Sequence, residues 1–248
     1  MTKIVCIIPA RYQSTRFEGK PLADICGTPM IQHVYERVQK SAAVSDVAVA
    51  TDDERIFKAV TAFGGNAVMT SVRHRSGTDR IAEAAEILGL HDMDIVVNIQ
   101  GDQPLFEPLQ VDEVTAPLLA DASLEMTTLI YRIRRDEEIR HPNAVKTVFD
   151  RNGFALYFSR ATIPFDRDRE GAVYYKHHGI YAYRRGFLRT FAAMETGVLE
   201  RLEALEQLRA IEHGYRIKVI ESQFDSIEVD TVAEIERVRR IVQEEKDR

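Results

Sequence analysis

Short apolar runs alternate with amphipathic stretches through the first half of the chain. The run Lys3–Pro9 is rich in β-branched residues and apolar almost throughout, which is typical of a strand buried on both faces of a sheet. The same pattern predicts three more strands in this half: Asp46–Ala50, Ala67–Met69 and Asp94–Ile99. Apolar residues at helical spacing predict three helices, over about Pro29–Lys40, from Asp52 or Asp53 to about Gly64-Gly65, and over about Thr78–Leu88.

Strands that alternate with helices at this spacing predict βαβ units and a parallel sheet with right-handed crossovers. The second half differs, because its strands have alternating or mixed faces. There we predict the strands Met126–Ile133, Ala144–Phe149, Phe154–Phe158, Lys176–Tyr183 and Arg216–Ile220, and the helices Val198–His213 and Thr231–Gln243. Because no linker rich in Pro, Gly or Ser interrupts the chain, we expect one α/β domain over residues 1–248, with a nucleotide-binding core over 1–125 and a substrate-facing part over 126–248.

Composition and charge narrow the function classes. The 248 residues are 45% hydrophobic and 29% charged, which is ordinary for a folded globular protein. The formal net charge of −6 argues against general nucleic-acid binding but allows a local basic pocket for a small anion. Two isolated cysteines make neither a disulfide framework nor a zinc site. Because we find no secretory leader and no apolar run near the length of a membrane span, we expect a cytoplasmic protein.

The loops that follow the predicted strands are candidate sites, because ligands of open α/β sheets bind beyond the carboxyl ends of the strands. The loop Ala10–Lys20 contains Arg11, Arg16 and Lys20 among Ser, Thr and Gly residues. Cations and backbone N–H groups in one loop suit a polyphosphate, although a solvated basic loop explains the same composition. The chain contains neither a Walker loop nor the glycine pattern of dinucleotide-binding proteins.

Two further loops carry candidate residues, each with a purely structural alternative. Gln100-Gly101-Asp102 follows an apolar strand, where Asp102 is either a Mg²⁺ ligand or a residue of a turn or helix cap. The run Ser76–Arg80 begins a predicted helix. Its Ser and Gly residues suit a base or ribose, but Ser76 or Thr78 serves equally well as the cap.

Three features of the second half indicate chemistry more weakly. His177 and His178 are adjacent on a predicted strand, so their side chains face opposite ways and at most one points into a given pocket. Glu206-Gln207 falls inside a predicted leucine-rich helix, where a solvated face is the ordinary explanation. Asp230-Thr231 indicates first a helix cap and only second a metal ligand.

Taken together, these segments match one family in chain order. The run from Ile7 to Leu22 closely resembles the signature loop of the sugar-acid cytidylyltransferases. The further matching runs are Ala50–Asp52, Ser76–Arg80, Asn98–Asp102, Ala155–Arg160, Gly179–Tyr181, Leu205–Arg209 and Val229–Thr231. The resemblance covers essentially the whole chain and is closest to the 3-deoxy-manno-octulosonate (Kdo) cytidylyltransferase family.

This resemblance implies a Rossmann-like nucleotidyltransferase fold with helices on both faces of the sheet. It implies the reaction of CTP with Kdo to CMP-Kdo and pyrophosphate for lipopolysaccharide synthesis, with Mg²⁺ as cofactor, in a cytoplasmic homodimer. The implied nucleotide contacts are Ala10, Arg11, Arg16, Lys20, Ser76, Gly77, Arg80 and Gln100. Asp102 and Asp230 would bind Mg²⁺ and, with Lys20, carry the chemistry. The sugar pocket, in the second half with the dimerisation elements, would contain Arg160, His177, Tyr181, Glu206 and Gln207, with Gln100 between sugar and nucleotide.

Three positions depart from the family pattern. Gln103 replaces a common glutamate after Asp102, Glu228 replaces a common glycine, and His178 replaces a usually apolar residue. The first two changes resemble a branch that activates 8-amino-3,8-dideoxy-manno-octulosonate. A cationic amine on the substrate would favour an added carboxylate such as Glu228 or Asp225, whereas the neutral Gln103 argues the other way. Both octulosonates therefore stay open, with a sialic-acid cytidylyltransferase or a non-catalytic nucleotide-binding protein as more distant alternatives.

Overall fold

The computed structural model describes residues 2–13, 17–74, 76–226, 229 and 232–246. Its strands are β1 Ile4–Ala10, β2 Asp24–Ile25, β3 Thr28–Pro29, β4 Asp46–Thr51, β5 Ala67–Met69, β6 Ile95–Asn98, β7 Met126–Arg132, β8 Lys146–Phe149, β9 Ala155–Ser159, β10 Tyr175–Arg184 and β11 Lys218–Glu221. Its α-helices are α1 Met30–Val38, α2 Glu54–Ala62, α3 Gly77–Ile87, α4 Leu109–Ala120, α5 Asp136–Arg140, α6 Arg185–Ala193, α7 Val198–Glu203, α8 Leu208–Glu212 and α9 Val232–Lys246. Among these described helices, none combines the length and the apolarity needed to cross a bilayer.

The main sheet has the strand order β11-β7-β10-β6-β1-β4-β5. The strands β6, β1, β4 and β5 pair in parallel, as does β11 with β7. β10 is antiparallel to both of its neighbours, β6 and β7. Every strand on this path except β10 therefore runs in the same direction, which confirms the predicted α/β fold with a mostly parallel sheet. β8 and β9 continue from β10 as an antiparallel extension.

Apolar side chains cover both faces of this sheet. Val5 and Ile7 of β1 pack into one core with residues of α3 and α6. Cys6 and Ile8 pack into the opposite core with residues of α1, α2 and α4. Because alternate residues of a strand point to opposite faces, a strand covered on both sides must be apolar at every position. This requirement explains the uninterrupted apolar run from which the first strand was predicted.

Three helices were not predicted from the sequence, and each lacks an ordinary signal. α4 contains Pro117, a residue that usually ends a helix because it has no N–H and crowds the preceding turn. α5 is only five residues long. α6 begins directly after the last residue of β10, Arg184, so no loop separates the two elements.

The prediction of one helix over Val198–His213 is wrong, because the segment forms α7 and α8 with a turn between them. Ala204 ends α7 in the left-handed conformation, with a φ of 50°. The turn folds α8 back on α7, so that Arg209 binds Glu200 through two nitrogen atoms, at 2.6 and 2.8 Å. The carboxylate of Glu212 accepts the N–H groups of Leu199 and Glu200 at the start of α7. A hydrophobic pattern of helical period did not reveal this break, since leucines recur on both sides of it, although Leu202 of α7 is 78% exposed.

Candidate active site

Three of the predicted loops converge at the carboxyl ends of β1 and β6. A Cβ atom built on Gly77 would lie 3.4 Å from Pro9 Cγ and 3.9 Å from Gln100 Oε1. A Cβ atom built on Gly101 would lie 3.2 Å from the Pro9 carbonyl oxygen. The contact at Gly101 is closer than a side chain normally allows, so glycine there lets the loop after β6 approach the end of β1, whereas the distances at Gly77 are ordinary contacts that place the start of α3 beside the same strand. The parallel pairing of β1 with β6 brings the loop ends to the same edge of the sheet.

Lys20 and Asp102 form the charged centre of this edge. Lys20 Nζ lies 2.6 Å from Asp102 Oδ2 and donates to the Val229 carbonyl oxygen at 2.9 Å. Val229 N–H in turn donates to the Asp102 carbonyl oxygen at 2.9 Å. Asp102 is 27% exposed and Lys20 16%, so both groups remain accessible to a ligand. The sequence predicted that Lys20 and Asp102 act in the same reaction but not that they are in contact, since 82 residues separate them.

The donor set at Asp102 suits a divalent cation. Asp102 Oδ1 makes no hydrogen bond within the described residues, so one carboxylate oxygen is available as a ligand. Mg²⁺ is commonly held by one or two carboxylates together with substrate phosphates. In the described part of the chain, no group of three or more His, Cys, Asp or Glu residues forms a metal site. Asp230 and Arg16, which were predicted to bind Mg²⁺ and phosphate, lie outside the described residues.

Arg11 follows directly after β1 and is half-buried. Burial, followed by the nearby Arg80 guanidinium, lowers the pKa of Arg11, and the carboxylates of Asp52, Asp79 and Glu206 oppose that shift. Arg11 makes no side-chain hydrogen bond to the described residues. A cation without a hydrogen-bonded partner among them is suited to accept an anionic ligand.

Arg80 has a different environment, because it is fully buried beneath this edge. It donates to Thr70 Oγ1 at 2.6 Å and to Asp52 Oδ2 at 2.8 Å. These bonds brace the loops that follow β4 and β5. Ser76 caps α3, accepting from Asp79 N–H at 3.1 Å within a capping box. Ser76 is therefore a helix cap, which was its structural alternative in the sequence. Gly77 is the first residue of α3.

The two adjacent histidines face opposite sides of β10, as predicted for a strand. His177 Nε2 lies 2.9 Å from Thr128 Oγ1, and its ring packs edge-on against Phe158. Its ring also lies against Tyr181, at 5.1 Å between centroids. His178 instead contacts Gln110 of α4 and lies 3.3 Å from Asp225. Tyr181 lies four residues after His177 on the same strand, and it faces the same side of the sheet.

His177 is neutral near pH 7, because burial, followed by the neighbouring His178, lowers its pKa from 6.5 to about 3. As the pH falls below 6.5, the unfolded chain takes up a proton here that the folded protein excludes, so stability is lost. We expect the wild-type protein to lose about 1–2 kcal/mol more unfolding free energy between about pH 7 and pH 5 than His177→Gln. Urea unfolding at both pH values measures this difference. Equal losses in the two proteins would contradict the neutral state of His177.

Glu206 and Gln207 lie in the turn between α7 and α8. Glu206 Oε2 accepts a hydrogen bond from Thr78 Oγ1 at the start of α3. Burial raises the pKa of Glu206, and hydrogen bonds from Thr78 and Ser76 oppose that rise. Two buried polar atoms, Glu206 Oε1 and Gln207 Nε2, lack a hydrogen-bond partner within the described residues. Arg209 lies 3.5 Å from Glu206 Oε1 as an ion pair, so Gln207 Nε2 in particular points to a polar ligand, since buried polar atoms normally have partners. The solvated-face explanation for Gln207 is wrong, because it is 4% exposed.

Arg160 already has main-chain partners. Its guanidinium donates to the carbonyl oxygens of Glu203 at 2.7 Å, Pro142 at 3.1 Å and Ala204 at 3.3 Å. In this arrangement Arg160 fixes the turn that carries Glu206. Beneath it, fully buried Lys146 donates to three carbonyl oxygens, one of them from Arg160. Lys146 was not identified from the sequence, where it carries no signal beyond its place in a strand.

Comparison with known proteins places this geometry in a family. Residues 5–220 match the family model described as Cytidylyltransferase. The chain is 71% identical to 3-deoxy-manno-octulosonate cytidylyltransferase from Syntrophus aciditrophicus (strain SB), covering 98% of both chains. It is 54% identical to 8-amino-3,8-dideoxy-manno-octulosonate cytidylyltransferase from Shewanella sp. (strain ANA-3), covering 94% of this chain and 96% of the other. A solved CMP:2-keto-3-deoxy-manno-octonic acid synthetase complexed with CTP superposes with a TM-score of 0.93 at 44% identity, covering 98% of this chain and 100% of that one. The chain therefore belongs to the cytidylyltransferase family, among the enzymes that carry the octulosonate names.

Proposed function

We propose that this enzyme transfers the cytidylyl group of CTP to 3-deoxy-manno-octulosonate, releasing pyrophosphate. The observation that carries the proposal is the accessible Lys20–Asp102 pair at the carboxyl ends of β1 and β6, in a fold whose solved relative at 44% identity holds CTP. The activated sugar would serve lipopolysaccharide synthesis. A cytoplasmic homodimer, acting as one catalytic unit over residues 1–248, is part of the proposal on the strength of the family resemblance.

The nucleotide half of the site would bind the triphosphate through Arg11, Arg16 and Lys20, beside the backbone of Ala10. Ser76 and Gly77 would lie at the cytidine end, where Arg80 would brace the neighbouring loops after β4 and β5 through Asp52 and Thr70. Positioning and charge neutralisation are the main catalytic contributions in transfer at phosphorus. Lys20 would stabilise the charge that develops on the phosphates when the bond to pyrophosphate breaks. In the ligand-free geometry it is already held in place by Asp102 and Val229.

Mg²⁺, when bound, would polarise the α-phosphate and lower the pKa of the attacking hydroxyl. Asp102 would hold it through a carboxylate oxygen, and we propose Asp230 as its second ligand. In the reaction the anomeric oxygen of the sugar forms a bond to the α-phosphorus, the bond from that phosphorus to the β-phosphate oxygen breaks, and the hydroxyl loses its proton.

The sugar half of the site would be formed by Gln100, Arg160, His177, Tyr181, Glu206 and Gln207. Glu206 Oε1 and Gln207 Nε2 supply an acceptor and a donor that lack hydrogen-bond partners within the described residues. His177, being neutral, contributes a hydrogen bond and not a charge. Arg160 would bind the substrate carboxylate through those guanidinium N–H groups that do not donate to carbonyl oxygens.

The 8-amino analogue is the second candidate substrate, supported by the relative that carries that name at 54% identity. Asp225, one of the carboxylates that an amine would favour, lies 2.8 Å from Lys176 Nζ. Burial raises the pKa of Asp225, but hydrogen bonds from His178 and Lys176 outweigh burial and bring it to about 2. Its charge is therefore already compensated by Lys176, and Gln103 is fully buried. The compensated charge of Asp225 favours Kdo over the amine, and the buried side chain of Gln103 bears on neither.

A substrate panel tests the proposal directly. We expect pyrophosphate release from CTP with Kdo, slower release with its 8-amino analogue, and none with N-acetylneuraminate. Preference for the amine would reassign the substrate within the octulosonates. CTP binding without turnover on any of the three sugars would instead indicate a nucleotide-binding protein that lacks the chemistry.

A further inference from the structure

A buried chain of polar side chains runs beneath the site and connects two of the proposed sugar contacts. At one end, Gln100 Nε2 donates to Asn98 Oδ1 at 3.3 Å. Burial raises the pKa of the Tyr183 phenol, and hydrogen bonding with the side chains of Asn98 and Thr78 opposes that rise. At the other end, Thr78 Oγ1 donates to Glu206 Oε2.

The inner members of this chain are closed off from solvent. Asn98 and Thr78 are each 2% exposed, and Tyr183 is 1% exposed. They come from three separate elements, β6, α3 and β10. None of the three is positioned to contact a ligand, whereas both ends of the chain, Gln100 and Glu206, are partly accessible. The inner residues can therefore influence the site only by orienting its ends.

The hydrogen-bonding capacity of these groups fits one direction of donation. Asn98 accepts from Gln100 through its oxygen and can donate to the phenol through its nitrogen. The phenol can then donate to Thr78, whose hydroxyl proton is used on Glu206. Hydrogen bonds that share hydroxyl groups in this way reinforce one another in a buried environment.

We propose that Thr78 is a positioning residue for the sugar acid, which holds Glu206 in a fixed orientation, and that Tyr183 supports Thr78 from the interior. This inference rests on the proposed function, since it assigns a task within the same site. Thr78 is the more important of the two, because its hydroxyl contacts Glu206 directly. It also lies beside Gly77 at the start of α3, so it links the sugar pocket to the proposed nucleotide loop.

The Thr78 hydroxyl has a second effect, on the charge of Glu206. Three charged groups face this carboxylate: Arg209 at 3.5 Å on α8, Asp79 on α3, and Arg11 after β1. Burial favours the protonated acid, and the hydrogen bond from Thr78 favours the carboxylate. Removing that hydroxyl leaves the burial and the like charge of Asp79 in place. The pKa of Glu206 should consequently rise, and the acid limb of sugar-dependent activity should move to higher pH.

The test compares Thr78→Val with Thr78→Ser in an assay of pyrophosphate release, using the octulosonate that the wild-type enzyme prefers. For Thr78→Val we expect the KM for the sugar to rise about tenfold while the KM for CTP stays within about twofold. We also expect the acid limb of kcat/KM for the sugar to shift upward in pH, and Thr78→Ser to restore both properties. Tyr183→Phe should raise the sugar KM by a smaller factor, since it breaks the chain one bond further from Glu206.

Thr127→Val is the matched control, because Thr127 is another fully buried threonine whose hydroxyl donates to a main-chain oxygen, that of Val114 at 2.6 Å. It should leave both KM values and the pH profile unchanged. The inference is overturned if Thr78→Val keeps the wild-type sugar KM and pH profile, or if the KM values for sugar and CTP rise together. Should Thr78→Val not fold, Tyr183→Phe decides by the same two measurements. Absence of turnover by the wild-type enzyme on every octulosonate would instead overturn the proposed function, and this inference with it.

Discussion

Asp102→Asn should fold normally and lose turnover by about two to three orders of magnitude. The substitution keeps the shape of the side chain but removes the negative charge that lies 2.6 Å from Lys20 Nζ. It also removes the carboxylate oxygen that would bind Mg²⁺ beside the phosphates. Pyrophosphate release at saturating CTP and sugar measures the loss, and a thermal melt checks the fold.

Glu107→Gln is the control for this substitution, because Glu107 follows in the same loop and its carboxylate forms no ion pair within the described residues. We expect that variant to retain turnover within about twofold of wild type. Turnover of Asp102→Asn within the same range would contradict the assignment of Asp102 to the metal and phosphate site. A loss in Asp102→Asn accompanied by unfolding would show a structural role instead.

Arg209→Met should destabilise the protein strongly, by about 3–5 kcal/mol of unfolding free energy. Arg209 and Glu200 hold each other through two hydrogen bonds, and their side chains are only 8% and 11% exposed. Without the guanidinium, Glu200 becomes a buried carboxylate with no cation beside it. Urea unfolding at neutral pH measures the change.

Lys58→Met supplies the comparison, since Lys58 and Glu54 form an ion pair on the surface of α2 with both side chains at least three-quarters exposed. Exposed pairs of this kind contribute about 0.5 kcal/mol or less. The double variant Arg209→Met with Glu200→Leu should recover part of the stability lost by the single one, because it removes the unpaired charge. Equal losses of unfolding free energy in Arg209→Met and Lys58→Met would mean that the buried pair contributes no more to stability than the exposed pair.

Arg209 also contacts a residue of the proposed site. It lies 3.5 Å from Glu206 Oε1 as well as against Glu200, so the arginine that closes the turn between α7 and α8 also contacts a residue that we propose for the sugar pocket. Arg160 fixes the same turn from the other side through the carbonyl oxygens of Glu203 and Ala204. The left-handed Ala204 is thus held between two arginines, which keeps Glu206 facing Thr78.

Local sequence was sufficient to predict an element wherever one clear hydrophobic pattern specifies a strand or a helix. The apolar run at β1 predicted a strand buried on both faces, and the loops after β1 and β6 lie together because parallel strands end at one edge. Local sequence was insufficient for α4, which tolerates Pro117, and for the turn at Ala204, where the residue itself has no preference for a left-handed conformation. In both places packing outweighs local propensity.

The sequence by itself determined the fold class, the family and the identity of most candidate residues, because these depend on periodicity and on motifs a few residues long. Only the tertiary structure decided how those residues are arranged. It paired Lys20 with Asp102, set Arg80 beneath the site against Asp52, and brought Glu206 from the second half of the chain onto Thr78 in the first. Such contacts join positions far apart in the chain, and their geometry follows from how the sheet and helices pack, which no local pattern encodes.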